Sequence, residues 1–256
     1  MLGAFEAVVH ARHSSRTFGP GGIAPELLAR LLALASRSPS SFNAQPWACV
    51  VVDDGGEQRA ALASAMLGRN GRTVGAAPVA LVFAADTQPV ARLPRLLAME
   101  REHGSSEAEL EKLRHGLELF GGHEAGALKR AGTYGLSPLQ PMPTINTSEA
   151  WAFKQTMPAV QTLLLGAAAA GLATCPMEGF DGRRVRAALA IPERFAVPVI
   201  VALGEPAPPT EPEKGGSEMP PLAPSARLPL EEVFFRNAFG DPLAPEQLQT
   251  SSSPIH

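Results

Sequence analysis

Four short apolar runs constrain this chain most: Trp47–Asp53, Val79–Ala85, Ala173–Met177 and Val197–Leu203. Each is too short for a typical globular helix, is rich in β-branched residues or flanked by turn formers, and so predicts a buried strand. Between them lie helical patterns. Pro25 to Ser36 places proline at the first helical position and sets Leu27, Leu28, Leu31, Leu32 and Ala35 on one face. Helices are also predicted over Phe5–Ala11, Glu57–Leu67, Arg183–Ala190 and, as one or two pieces, Arg92–Phe120, where Leu110, Leu113 and Leu117 keep helical spacing. The longest, Ser148–Gly171, opens at a Thr147 or Ser148 cap and contains Pro158. Its second half, Leu163 to Ala170, is apolar all round, which predicts burial in the core or at a subunit interface. Alternating helices and strands imply an α/β or α+β chain.

Other stretches carry no such periodicity. Arg69 to Thr73 is predicted as a polar basic loop, and Gly121 to Thr147, rich in glycine and proline, as a lid or excursion. From Glu205 to Pro229 there are eight prolines, so this stretch is predicted to be an extended arm, followed by a small helix near Leu230 to Phe235.

Composition narrows the function. A net charge of −3, with 18 Arg and 4 Lys scattered among 25 acidic residues, is a poor footprint for nucleic acid. The partner is expected to be a small molecule. The first fifty residues depart from the average, with four Arg against two Glu and His10 and His13 beside Arg12 and Arg16, a setting for an anion. No apolar run approaches the length of a bilayer span, and the first residues lack a basic start and apolar h-region, so a cytoplasmic protein is expected. Cys49 and Cys175 are far apart, without a second ligand at metal spacing, and are predicted to be buried thiols. No metal site is expected.

Several chemistries lack their motifs: there is no Gly-x-Gly-x-x-Gly, no Gly-Lys-Ser/Thr phosphate loop, no His-Glu-x-x-His and no Gly-x-Ser-x-Gly. Three polar segments remain. Arg12-His13-Ser14-Ser15-Arg16 compresses guanidinium, imidazole and hydroxyl groups, the donors that suit phosphate oxygens. Pro39-Ser40-Ser41-Phe42-Asn43-Ala44-Gln45-Pro46 is bounded by prolines and leads into a core strand, so its side chains can be held at low entropic cost. Pro176-Met177-Glu178-Gly179-Phe180-Asp181 leaves a strand for a helix; Gly179 permits close backbone approach to a flat ligand and Asp181 suits a helix cap.

With the helix from Trp151 to Gly171 and Gly204-Glu205-Pro206, these segments resemble the FMN-dependent nitroreductase family in order, over roughly residues 3–87 and 148–240. The resemblance implies an α+β fold, a mixed and mainly antiparallel sheet surrounded by helices, in an intertwined homodimer with two shared FMN sites. It implies that Arg12, His13, Ser14 and Arg16 hold the ribityl phosphate. Pro39, Ser40, Ser41 and Asn43 would reach the flavin from the other subunit. Pro176, Met177, Glu178 and Gly179 would run beside the ring, with the amides of Glu178 and Gly179 toward its N5 and O4 edge. Arg227 resembles a second basic phosphate ligand, although Ser225 stands where many relatives carry Lys. Asn70 is the natural ring contact before the second strand, with Arg69 and Arg72 as competitors. Residues 88–147 align with nothing in the family and are expected to shape the substrate pocket. The whole chain is read as one nitroreductase-like domain, with residues 205–256 as its arm.

The implied activity is a flavoprotein oxidoreductase: NADH or NADPH reduces the flavin, and a nitroaromatic, quinone or other flat acceptor reoxidises it by ping-pong. No general acid or base is then required of the protein, because the cofactor carries the electrons. Three alternatives stay open. They are another flavin chemistry of the same superfamily (dehalogenation, flavin fragmentation or ring oxidation), a non-catalytic flavin-binding protein, and a protein that binds no flavin.

Overall fold

A computed structural model describes residues 1–53, 55–121, 126–208 and 225–242. The chain divides into a unit of residues 1–211 and a second of residues 212–256.

In the first unit, four strands form one sheet in the order β1-β2-β4-β3, with β1 at Trp47–Asp53, β2 at Val79–Asp86, β3 at Ala173–Met177 and β4 at Phe195–Gly204. All neighbouring strands are antiparallel, so the predicted mixed sheet is antiparallel throughout these strands. The parallel pairing among the described residues is confined to the Ser14–Thr174 bridge at the β3 edge. Nine α-helices are described in this unit, α1 (Leu2–Ala11), α2 (Pro25–Ser36), α3 (Gly56–Ser64), α4 (Asn70–Ala76), α5 (Leu93–Glu102), α6 (Glu107–Gly121), α7 (Gly126–Leu136), α8 (Ser148–Ala169) and α9 (Gly182–Ala188), and all but α4 and α7 follow the helical patterns of the sequence in outline.

Strand β2 is buried along its whole length, and its side chains alternate between two cores. Val79, Leu81 and Phe83 face Leu31 and Ala35 of α2 and Val160, Leu163 and Ala167 of α8. Ala80, Val82 and Ala84 join Leu62 of α3, Val74 of α4 and Val185 of α9 in the other core. A third cluster joins Leu96 and Leu97 of α5, Leu110, Leu113 and Leu117 of α6, and Trp151 and Ala152 of α8. The predicted interior of the long helix is therefore correct for Leu163, Leu164 and Ala167, whereas Ala169 and Ala170 are exposed. Thr147 is the cap, its hydroxyl accepting from the Ala150 amide at 3.2 Å. Pro158 does not end the helix, and its carbonyl takes the Thr162 hydroxyl at 2.9 Å.

Two local readings change. Residues 70–76 are helical rather than loop, because Thr73 and Val74 are buried while Arg69 and Arg72 face solvent. That burial outweighs the poor propensity of Gly71 and Gly75. The stretch 121–147 contains helix α7, while residues 122–125 lie outside the described set. Cys175 is buried as expected; Cys49 is half-buried, with its thiol pushed up to about 12 by burial.

Two internal polar arrangements brace the fold. Arg59 is buried and donates to the carbonyls of Asp53, Val74, Val52 and Pro78, tying β1 to the approach to β2. Asp86, fully buried at the end of β2, pairs with Arg92 at 3.1 Å and Arg194 at 3.3 Å and accepts the Gln88 amide at 3.0 Å. Among the described residues no helix is long and apolar enough to cross a membrane, and no cluster could hold a metal ion.

In the second unit, α10 (Leu230–Val233) is the small helix foreseen near Leu230, shortened to one turn. Most of the proline-rich stretch, residues 209–224, and residues 243–256 lie outside the described set.

Candidate active site

The edge strand β3 gathers two of the three polar segments. Helix α1 ends at Arg12, whose extended backbone turns the chain toward the sheet. Ser14 bridges Thr174, and the Ser15 amide donates to the Thr174 carbonyl at 2.8 Å. Arg12 is half-buried and Arg16 exposed, and among the described residues neither has an acidic partner. Arg16 lies close enough to Cys175 for its charge to offset part of the rise that burial imposes on that thiol. His13 is exposed, with Nδ1 3.0 Å from the Ala11 carbonyl. The segment tied to the β3 edge through Ser14 and Ser15 thus carries two unneutralised guanidiniums, which favours an anion.

At the far end of β3 the chain leaves the sheet through Pro176, Met177, Glu178 and Gly179. Asp181 caps α9 by accepting from the amides of Arg183 and Arg184, so the turn is fixed from its C-terminal side. From its other flank, the Leu67 amide donates to the Gly179 carbonyl at 2.9 Å, and Asn70 Nδ2 donates to the same oxygen at 3.1 Å. A Cβ at residue 179 would lie 2.7 Å from Asn70 Nδ2, so a larger residue there would displace the Asn70 carboxamide from the carbonyl. Met177 is buried, while Glu178 is exposed. The Glu178 and Gly179 amides donate to no other described residue and are available to a ligand acceptor atom.

The third segment is held elsewhere. Ser41 donates its amide to Gln155 Oε1 at 2.7 Å, and Asn43 Nδ2 donates to Glu100 Oε1 at 2.9 Å. Ser40 Oγ accepts the Gln45 amide at 2.9 Å, and Pro39 is exposed. The segment therefore rests on α5, α6 and α8, with no hydrogen bond to the 12–16 or 176–179 segments among the described residues. Arg227 belongs to the second unit, where its guanidinium donates to the carbonyls of Ser225 and Ala226.

Gln155, Glu100 and the Asp86–Arg92–Arg194 group were not anticipated. Their partners lie far away in sequence, so local spacing holds no signal for them. Within residues 88–147, α7 and the chain after it enclose an open cleft of about 490 Å³ lined by Arg130, Tyr134, Ser137, Met142 and Thr144.

A family description, the nitroreductase family, matches residues 9–205 of the chain. The chain belongs to the nitroreductase family. Among curated proteins, this nitroreductase-family chain is 34% identical over 225 residues to a protein named NADH dehydrogenase from Thermus thermophilus, covering 88% of this chain and 91% of that one. It is 28% identical to an oxygen-insensitive NAD(P)H nitroreductase of Salmonella typhimurium, over 89% of this chain and 97% of that one. Among solved structures it is similar to a nitroreductase-type protein from Exiguobacterium sibiricum in complex with FMN, with a TM-score of 0.64, 21% identity and coverage of 90% and 95%. That last likeness shows the fold. The order of the three polar segments, read as a nitroreductase resemblance, is thus matched by family membership.

Proposed function

We propose that the chain is an FMN-dependent oxidoreductase that uses NADH or NADPH to reduce nitroaromatics, quinones or similar flat acceptors, as a homodimer with shared sites. The observation that carries this reading is the pairing on one strand of unneutralised Arg12 and Arg16 with the Asn70-braced turn at Gly179. These residues fit FMN: two guanidiniums suit its phosphate, and two unused amides beside a glycine suit the polar edge of a flat ring.

FMN, when bound, would supply the two-electron redox chemistry that links the nicotinamide to the acceptor. For a nitro group the balance is R–NO₂ + NAD(P)H + H⁺ → R–NO + NAD(P)⁺ + H₂O. Arg12 and Arg16, with Ser14 and His13, neutralise and orient the phosphate. The Glu178 and Gly179 amides orient the ring and favour negative charge on it. Asn70 holds the Gly179 carbonyl and thereby aims those amides. Pro39, Ser40, Ser41 and Asn43 complete the site of the partner subunit. The cleft of residues 127–145 shapes acceptor choice. No described side chain is required as a proton donor, because water can protonate the product.

Dimerisation draws support from α1, which has no buried residue and exposes Leu2, Phe5 and Val9, together with exposed Leu34 of α2 and Met157 of α8. Exposed apolar area on this scale marks an interaction surface.

The test is a visible spectrum of protein loaded with FMN, desalted, and mixed anaerobically with NADH or NADPH. Retained flavin bands that bleach, then return on adding nitrobenzene or menadione, are expected. Retained bands that neither nicotinamide bleaches would replace the reading by a flavin-binding or differently reduced protein, and a colourless protein would end it.

A further inference from the structure

The segment from Ser40 to Pro46 holds its backbone in an unusual state. Phe42, Asn43 and Gln45 all have positive φ, at 57°, 49° and 42°. Residues with a Cβ keep such angles only where their surroundings over-determine them.

The surroundings come from helices α5 and α6. Gly116 of α6 leaves the space that the Phe42 ring fills, and a Cβ there would overlap that ring. One helical turn on, Phe120 stacks against Phe42 with centroids 5.8 Å apart. Glu100 of α5 accepts from Asn43 Nδ2 at 2.9 Å and, through its other oxygen, from the Ser105 hydroxyl at 2.9 Å. Gln45 Nε2 donates to the carbonyl and to Oδ1 of Asn43 at 3.1 Å each, which fixes which way the Asn43 amide points. Asn43 keeps one N–H, and Ser41 its hydroxyl, without a described partner.

We infer that α5 and α6 act as a positioning device for the Ser40–Gln45 loop, with Gly116 as the socket for Phe42 and Glu100 as the clamp on Asn43. The excursion then sets the pose of the loop's free polar groups, and changes in it alter ligand affinity without touching the ligand. The ligand part of this inference rests on the flavin reading above; the loop part does not.

The experiment is a double-mutant cycle on the full chain with Gly116→Ala and Phe42→Ala, read by amide hydrogen exchange over residues 41–45 and by FMN affinity from fluorescence quenching. Gly116→Ala is expected to speed exchange at 41–45 and to weaken FMN by tenfold or more. In the Phe42→Ala background the same change is expected to alter either quantity less than twofold, because no ring remains to be displaced. Additive effects, or unchanged exchange in Gly116→Ala, would overturn the socket. Glu100→Ala and Glu100→Gln form the second arm and decide the matter should Gly116→Ala not fold. Exchange is expected to rise in the alanine variant and to be restored in the glutamine variant, which still accepts from Asn43; equal behaviour of the two would overturn the clamp. A wild-type chain that binds no FMN would sink the flavin reading while the exchange results still decide the inference.

Discussion

Asn70 Nδ2 donates to the Gly179 carbonyl at 3.1 Å and stands 2.7 Å from where a Cβ on residue 179 would lie. One carboxamide thus braces the turn after β3 and fills the space that a side chain at its tip would need. Asn70→Ala is expected to cost about 1 kcal/mol of stability, the usual worth of such a bond, and to weaken FMN more than that loss explains. Urea titration beside FMN titration checks both. Gly179→Ala is expected to weaken FMN as well, since Asn70 must move; unchanged affinity in both variants would remove the turn from the site.

Arg12 and Arg16 meet no acidic partner among the described residues, so removing either leaves no orphaned carboxylate behind. Arg12→Ala is expected to leave the melting temperature nearly unchanged while weakening FMN by about 2 kcal/mol, the scale of a charge-assisted hydrogen bond. Isothermal titration with FMN and with riboflavin separates the phosphate contact from the ring contact. The loss should appear with FMN and vanish with riboflavin.

Arg92 partners a fully buried carboxylate and also donates to the Gln45 carbonyl at 2.8 Å and the Trp47 carbonyl at 3.2 Å. Arg92→Met is expected to destabilise the chain by about 3 kcal/mol, because Asp86 is left with Arg194 alone and two carbonyls lose their donor. A lower urea midpoint at constant slope is the result to look for. A midpoint equal to wild type would show that Asp86 does not depend on Arg92.

Glu100 titrates below the ordinary glutamate range, first because Asn43 donates to its carboxylate and then because Ser105 does. A pKa depressed on folding means stability that is fully present above the unfolded value of about 4.3 and is lost as pH falls through the lower folded value. The wild-type melting temperature should therefore exceed that of Glu100→Gln by an amount that is constant from neutral pH to about 5 and then shrinks in more acid solution. A difference that grows on acidification would reverse the assignment.

The residues of β1 and the boundaries of α2 were legible in the chain itself, since apolar runs and a 3.6-residue leucine stripe are local signals. So were the Thr147 cap, left between two candidates, and the Asp181 cap. Helix α4 was not, because Gly71 and Gly75 argue against helix locally and only the burial of Val74 between α3, β2 and α9 overrides them.

The candidate chemistry is already present in the order of residues along the chain, which shows the segments that carry guanidinium, hydroxyl and amide donors and their succession. How those groups are arranged depends on long-range packing. It set the 12–16 segment against β3, turned Asn70 onto Gly179, and placed the Ser40–Gln45 loop on α5, α6 and α8. Those contacts join residues separated by 57 to 114 positions in the case of Asn43–Glu100 and Ser41–Gln155. Their geometry exists only once the chain has folded, so no local pattern encodes them.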